Sequence, residues 1–212
     1  MPRLKEIDID PVAVDDDGIV VAETLGAAGD FTIGGALASN GAVTFDYPRQ
    51  IIQTTVGNES ARTFTITGTD EDGVAQTLAM TGLNATTGET AEYWSTVTQI
   101  ASDDATVNDV KFGTVDEIQT KTYPLNFYST EAATVSVDVT GTIDFTVQET
   151  FESLLDLSSP AVNATWADVS ALADKTADTT AAVSKNATAV RITVNSYSSG
   201  AELQARIIQS RP

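Results

Sequence analysis

Between Arg62 and Met80 the chain alternates with a period of two. Phe64, Ile66 and Gly68 fall on one face of an extended segment, and Thr63, Thr65 and Thr67 on the other. Side chains of a strand point to opposite faces in turn, so this pattern predicts a half-buried strand. β-Branched threonines suit the wet side of a pleated surface. Asp70-Glu71-Asp72-Gly73 interrupts the pattern with turn residues: Gly73 tolerates positive φ and the acids can bond local backbone. Val74 to Met80 then returns as a second strand, giving an antiparallel hairpin.

The same grammar recurs along the chain. Asp30–Ile33 and Val43–Phe45 read as short strands, Tyr47-Pro48 as a bend, and Arg49–Val56 as a strand. Tyr93–Ile100 and Val107–Phe112 follow, the latter closed by Gly113-Thr114 and a polar join over Val115–Thr122. Six short strands between Ala42 and Thr114 have the spacing of a β-sandwich. Tyr123–Tyr128 opens a second set. Val135, Val137 and Val139 alternate, Gly141-Thr142 can turn, and Ile143, Phe145 and Val147 alternate again, which predicts a second hairpin. Ala187–Val194 and Leu203–Gln209 are the last strands. The Ser-, Ala- and Thr-rich segment from about 152 to 187 reads as a long connection, with a helical turn or two near Trp166–Leu172.

The expected fold is therefore all-β, with two antiparallel β-sandwich domains, immunoglobulin-like or jelly-roll-like. The first spans 19–116 and the second 117–212. Residues 1–18 are polar, with Pro2, Pro11 and the run Asp15-Asp16-Asp17, and are expected to form an extended N-terminal arm. Such an arm can stay loose or add to a neighbouring subunit.

Composition narrows the function. The net charge is −19, from 30 acidic and 11 basic residues, and the basic residues are scattered singly. That argues against nucleic-acid binding, which needs clustered Lys and Arg. The acidity confers solubility, or suits a basic docking partner or a lumen to which DNA must not adhere. With no Cys and no His, thiolate metal sites, Cys nucleophiles and Ser-His-Asp triads are excluded. Met1 to Asp10 lacks an apolar signal core and no run reaches membrane-spanning length, so assembly in a cytoplasm is expected.

Candidate chemistry rests on the acids. Asp70 and Asp72, Asp15 to Asp17, or Asp103 and Asp104 could supply oxygen ligands to calcium. Asp70-Glu71-Asp72-Gly73 imitates the start of an EF-hand loop, but no Glu stands at its twelfth position and no helices flank it, so turns and solvated faces are expected instead. Paired carboxylates could serve glycoside hydrolysis, but only with an aromatic-lined groove. Tyr93-Trp94 reads as strand core, and Trp166 as an anchor of its connection or a partner-facing side chain. Asn58, Asn84, Asn163 and Asn186 head chance glycosylation triplets. Arg49, Arg62, Arg191 and Arg206 lie on strands as cross-strand partners of acids. The glycines around Gly26–Gly35 lack the P-loop lysine and serve turns. No catalytic, cofactor-binding or metal residue is expected.

Several motifs are similar to those of tailed-phage virion proteins: Asp46-Tyr47-Pro48-Arg49-Gln50-Ile51, Arg62 through Gly73, Tyr93 to Ile100, and Phe112-Gly113-Thr114. In the second half Gly141 through Phe151, Thr165-Trp166, Ala189–Ile192 and Ile207-Ile208-Gln209 carry the same resemblance. The resemblance implies a non-enzymatic structural subunit of a phage particle, located in the virion. The first expectation is a capsid decoration or cement protein. The alternatives are a head-to-tail adaptor or tail-tube ring protein and, beyond these, a surface carbohydrate-binding module. Its partners would be other copies of itself and the major capsid, portal or tail proteins, with neither specific nucleic acid nor membrane, and no cofactor.

Overall fold

The computed structural model describes residues 3–126 and 131–209. Phe127 and Tyr128, expected to continue a strand, lie outside the described residues. The protein is nearly all β, with antiparallel sheets. The first strands are β1 (Arg3–Ile9), β2 (Val20–Glu23), β3 (Gly29–Asp30), β4 (Ala38–Ser39), β5 (Ala42–Thr55), β6 (Thr63–Thr69), β7 (Ala75–Thr81), β8 (Thr87–Glu89) and β9 (Trp94–Ser102). They are followed by β10 (Val110–Gln119), β11 (Tyr123–Pro124), β12 (Thr134–Thr140), β13 (Ile143–Thr150), β14 (Ala167–Asp168), β15 (Thr179–Ala182), β16 (Ala189–Tyr197) and β17 (Glu202–Gln209). Among the described residues no helix is long and apolar enough to cross a membrane.

The chain divides into two compact units, one of residues 14–115 and one that joins residues 1–13 to 116–212. In the first unit the strand order is β10-β5-β9-β6-β7. The hairpin of β6 and β7 is paired without interruption from Thr63↔Thr81 to Thr69↔Ala75. Phe64 and Ile66 are fully buried while the threonines between them are half-buried, so period-two patterning sets the sheet's faces. Phe31, Phe64 and Phe112 meet edge to face, with ring centroids 5.6 to 5.8 Å apart, at the centre of a core that includes Trp94, Ile51 and Ile100.

Two expectations are corrected in this unit. Tyr47-Pro48 does not end a strand: β5 runs through it for 14 residues. The pairing with β9 instead shifts register between Thr44 and Arg49, and a proline without an N–H is accommodated at such an irregularity. β10 likewise does not stop at Gly113-Thr114 but continues to Gln119 through the expected polar join. Gly113 is a packing residue, since a Cβ there would lie 2.1 Å from the carbonyl oxygen of Asp15.

The second unit holds a four-stranded sheet, β1-β17-β12-β15, and a sheet in the order β14-β13-β16-β10, with β11 also on β16. The expected second hairpin is not one. β12 pairs with β15 and β17, whereas β13 pairs with β14 and β16, so Gly141-Thr142 carries the chain from one sheet to another. Gly141 has φ +77°, which an L-residue with a side chain adopts only under strain. Residues 3–9 of the expected arm are β1, in register with β17 from Arg3↔Gln209 to Ile9↔Leu203. Ile7 and Ile9 are buried on one face while Glu6 and Asp8 are exposed on the other, and this alternation makes the segment a sheet edge. The segment from 152 to 187 is shaped by short pieces: Leu154–Asp156 and Ser170–Leu172 form single 3-10 turns, Pro160–Asn163 one helical turn, and β14 and β15 lie on neighbouring strands.

Candidate functional site

The acidic groups that the sequence offers as ligands, Asp15 to Asp17, Asp70 with Asp72, and Asp103 with Asp104, each fall on a loop. Asp15, Asp16 and Asp17 bring one carboxylate oxygen apiece within 4.8 Å of one another. Their loop is fastened to β10: Asp15 N–H donates to Thr114 Oγ1 at 3.2 Å, and Thr114 N–H donates to Asp15 C=O at 2.8 Å. Asp16 forms an ion pair with Lys111. Asp15 Oδ1 accepts the N–H of Asp17 at 3.3 Å. The Asp17 carboxyl is held above the usual Asp range, first by its hydrogen bond with Asp15 and then by loss of hydration and the charges of Asp15 and Asp16. These contacts make the loop a latch on a strand.

The other expected ligand groups are dispersed. Asp70 Oδ1 accepts from Asp72 N–H at 2.9 Å and Val74 N–H at 2.8 Å, an Asx turn that closes the hairpin tip with Gly73 at φ +79°. Asp103 Oδ1 accepts from Thr63 N–H at 2.9 Å, and this bond holds its carboxyl below the usual range. Asp104 lies 3.8 Å from Arg62, whose Nε donates to Ala105 C=O. The three acidic groups do not converge.

Two carboxylates that pattern reasoning passed over are buried and accept bonds from distant parts of the chain. Glu59, 1% exposed, accepts from Val107 N–H at 3.0 Å and from Asn108 N–H at 2.6 Å and Nδ2 at 3.0 Å. Glu149, also buried, accepts from Ser184 N–H at 2.7 Å and Oγ at 2.6 Å. Nothing in Gly57-Asn58-Glu59-Ser60 distinguishes Glu59 from an ordinary turn residue, because its donors lie almost fifty positions away in sequence.

The aromatic and basic candidates have structural placements. Trp94 is fully buried. Trp166 is half-buried, donates from Nε1 to Pro160 C=O at 3.3 Å and lies under the Arg191 guanidinium, 4.4 Å from ring centroid to Cζ. Arg191 also donates to Gln148 at 2.7 Å and Gln119 at 2.8 Å. Arg206 does pair with acids, Glu6 at 3.5 Å and Asp138. Arg49 is buried.

Two open grooves lie in the second unit. One, of about 310 Å³, is lined by Lys5, Lys121, Tyr123 and Ile207, with Lys5 Nζ 5.7 Å from the Tyr123 ring centre. The other, of about 400 Å³, is bordered by Asp8, Asp10, Asp138 and Glu202. Neither holds a tryptophan or a facing carboxylate pair set in an aromatic trough, the arrangement a sugar site uses. No family model, curated protein or solved structure matches the chain.

Proposed function

We propose that the protein is a non-enzymatic structural subunit of a bacteriophage particle, acting as a decoration or cement protein on the capsid. One observation carries this reading: four carboxylates, on loops and in the fold's interior, are engaged with the protein's own backbone. Asp70, Asp103, Glu59 and Glu149 each accept backbone N–H groups, and Glu59 and Glu149 do so across 35 to 49 residues. Bonds of this kind to ionised groups are stronger than neutral ones and stiffen the loops they close. Hydroxyl pairs across strands, Thr69 with Thr96 and Ser136 with Thr180, each at 2.8 Å, add to the rigidity of the faces.

Within this proposal each unit closes as a β-sandwich, and its rigid faces bridge neighbouring shell subunits. Many weakly bound copies acting together supply avidity. The N-terminal segment contributes as the edge of its sheet; clamping a neighbour would require it to leave β17. The motif resemblance to tailed-phage virion proteins and the acidic surface both suit a particle that packages DNA.

A reconstruction of the particle tests the proposal. Density for this chain in many icosahedral copies on the head supports the decoration role. A single cyclic ring at the head-tail junction or along the tail moves the protein to the ring class, and its absence from purified virions overturns the reading. Binding to a glycan array that is lost in Trp166→Ala would instead establish a carbohydrate-binding module.

A further inference from the structure

The open edge of β7 differs from the other sheet edges among the described residues. β1 carries Lys5, Glu6 and Asp8, β14 has two residues and β15 four. Charge and shortness are the usual protections against edge-to-edge pairing. β7 has neither: Ala75-Gln76-Thr77-Leu78-Ala79-Met80-Thr81 is seven residues long, uncharged, free of proline and paired to β6 without a bulge.

Its hydrogen-bond phase can be read from the ends of the hairpin. Asp70 N–H donates to Val74 C=O, and Gly82 N–H donates to Arg62 C=O, each at 2.9 Å. In an antiparallel ladder such bonded pairs alternate with non-bonded ones. The even-numbered residues of β7 therefore bond β6, and Ala75, Thr77, Ala79 and Thr81 turn their N–H and C=O groups toward the open edge. The side chains of these four are small and exposed, while Gln76, Leu78 and Met80 on the other face are half-buried.

The geometry points to this edge as a self-association site, where β7 of a second copy of the chain pairs antiparallel about a two-fold axis at Leu78. In that register Thr77 faces Ala79 of the second copy and Ala75 faces Thr81, so every outward-bonding residue meets another. Leu78 meets Leu78 in a non-bonded pair, where side chains approach most closely. Leu78 and Met80 already pack on the buried core, and the second strand would cover them further. Charge selects the occupant. A chain of net charge −19 repels its own copies over most surfaces, but this span sets no charge opposite another, and a basic segment would find no acid along it. The closed, isologous arrangement makes a dimer and no filament. The inference stands on the geometry and the charge of this edge and is independent of the phage assignment.

The test uses the full chain in a sedimentation series reaching concentrations on the order of 1 mM, the weak end of specific affinity. A reversible dimer is expected. Leu78→Cys, in a chain with no other cysteine, should form a covalent dimer under mild oxidation, while Ala75→Cys, about six residues out of register with itself, should not. Thr77→Asp with Ala79→Asp places acids opposite acids at exposed positions and should weaken the dimer roughly tenfold. Thr77→Lys with Ala79→Asp places opposite charges in the same register and should restore it. A monomer throughout the series overturns the inference. So does a dimer that is indifferent to both double variants, or one that crosslinks through Ala75→Cys but not Leu78→Cys.

Discussion

Glu59 shows how much one side chain can hold. It is a buried carboxylate whose charge is matched by three donors from Val107 and Asn108. Glu59→Ala would leave those partly buried N–H groups without their acceptor, at a cost of about 1–2 kcal/mol, read as a lowered urea midpoint. Glu59→Gln, which keeps one acceptor oxygen, should cost about half as much. Surface acids respond differently. Asp103 is held below its ordinary value of 3.8 by the backbone N–H of Thr63, and Glu152 below 4.5 by its hydrogen bonds with Thr165. Their stabilisation is complete above those ordinary values and is lost as pH falls through the lower folded ones. Asp103→Asn should therefore flatten the pH dependence of stability below 3.8. Asp17 has the opposite sign: its folded value is raised, so ionisation weakens the fold at neutral pH and protonation relieves it. Asp17→Asn should raise the melting temperature at pH 7, with the gain vanishing below its ordinary value of 3.8.

The β6–β9 pair depends on a single missing side chain. Register shifts between Thr67 and Gly68, and a Cβ at Gly68 would lie 1.9 Å from the carbonyl oxygen of Thr96. Backbone cannot withdraw from a ladder as a side chain can, so Gly68→Ala should destabilise by about 3 kcal/mol or more. Amide exchange should accelerate along β6 and β9 together. Ala on the half-buried threonine face, as in Thr65→Ala, should change stability by less than about 1 kcal/mol, which separates the close backbone approach from the loss of threonine propensity.

The two compact units draw on different parts of the chain, and truncation should show it. Residues 1–13 belong with 116–212, and β1 supplies Ile7 and Ile9 to that unit's core. Deleting residues 1–9 removes the burial of two isoleucines and uncovers the β17 ladder, a loss of about 4 kcal/mol from apolar burial alone. Hydrogen exchange should register that loss in β12 and β17. Phe64→Ala, which opens the three-phenylalanine cluster of the other unit, should cost about 3–5 kcal/mol and raise exchange in β5, β6 and β9.

Sequence patterning alone determined the class of the fold and the faces of its best strands. Phe64, Ile66, Val135, Val137, Ile192 and Val194 are buried because a strand's two-residue period is written locally, in the alternation itself. The hairpin tip at Asp70–Gly73 was legible for the same reason, since the turn is closed by local bonds from Asp72 and Val74 to Asp70. Only the tertiary structure decided which strands pair. Val135–Val139 and Ile143–Val147 alternate like the arms of a hairpin yet enter separate sheets, because partner choice depends on distant β15, β16 and β17. It decided too that residues 3–9 close a sheet formed with the last strand of the chain. The candidate acids divide along the same line. Their number was plain in the sequence, but the long-range roles of Glu59 and Glu149 come from donors that folding alone brings within reach.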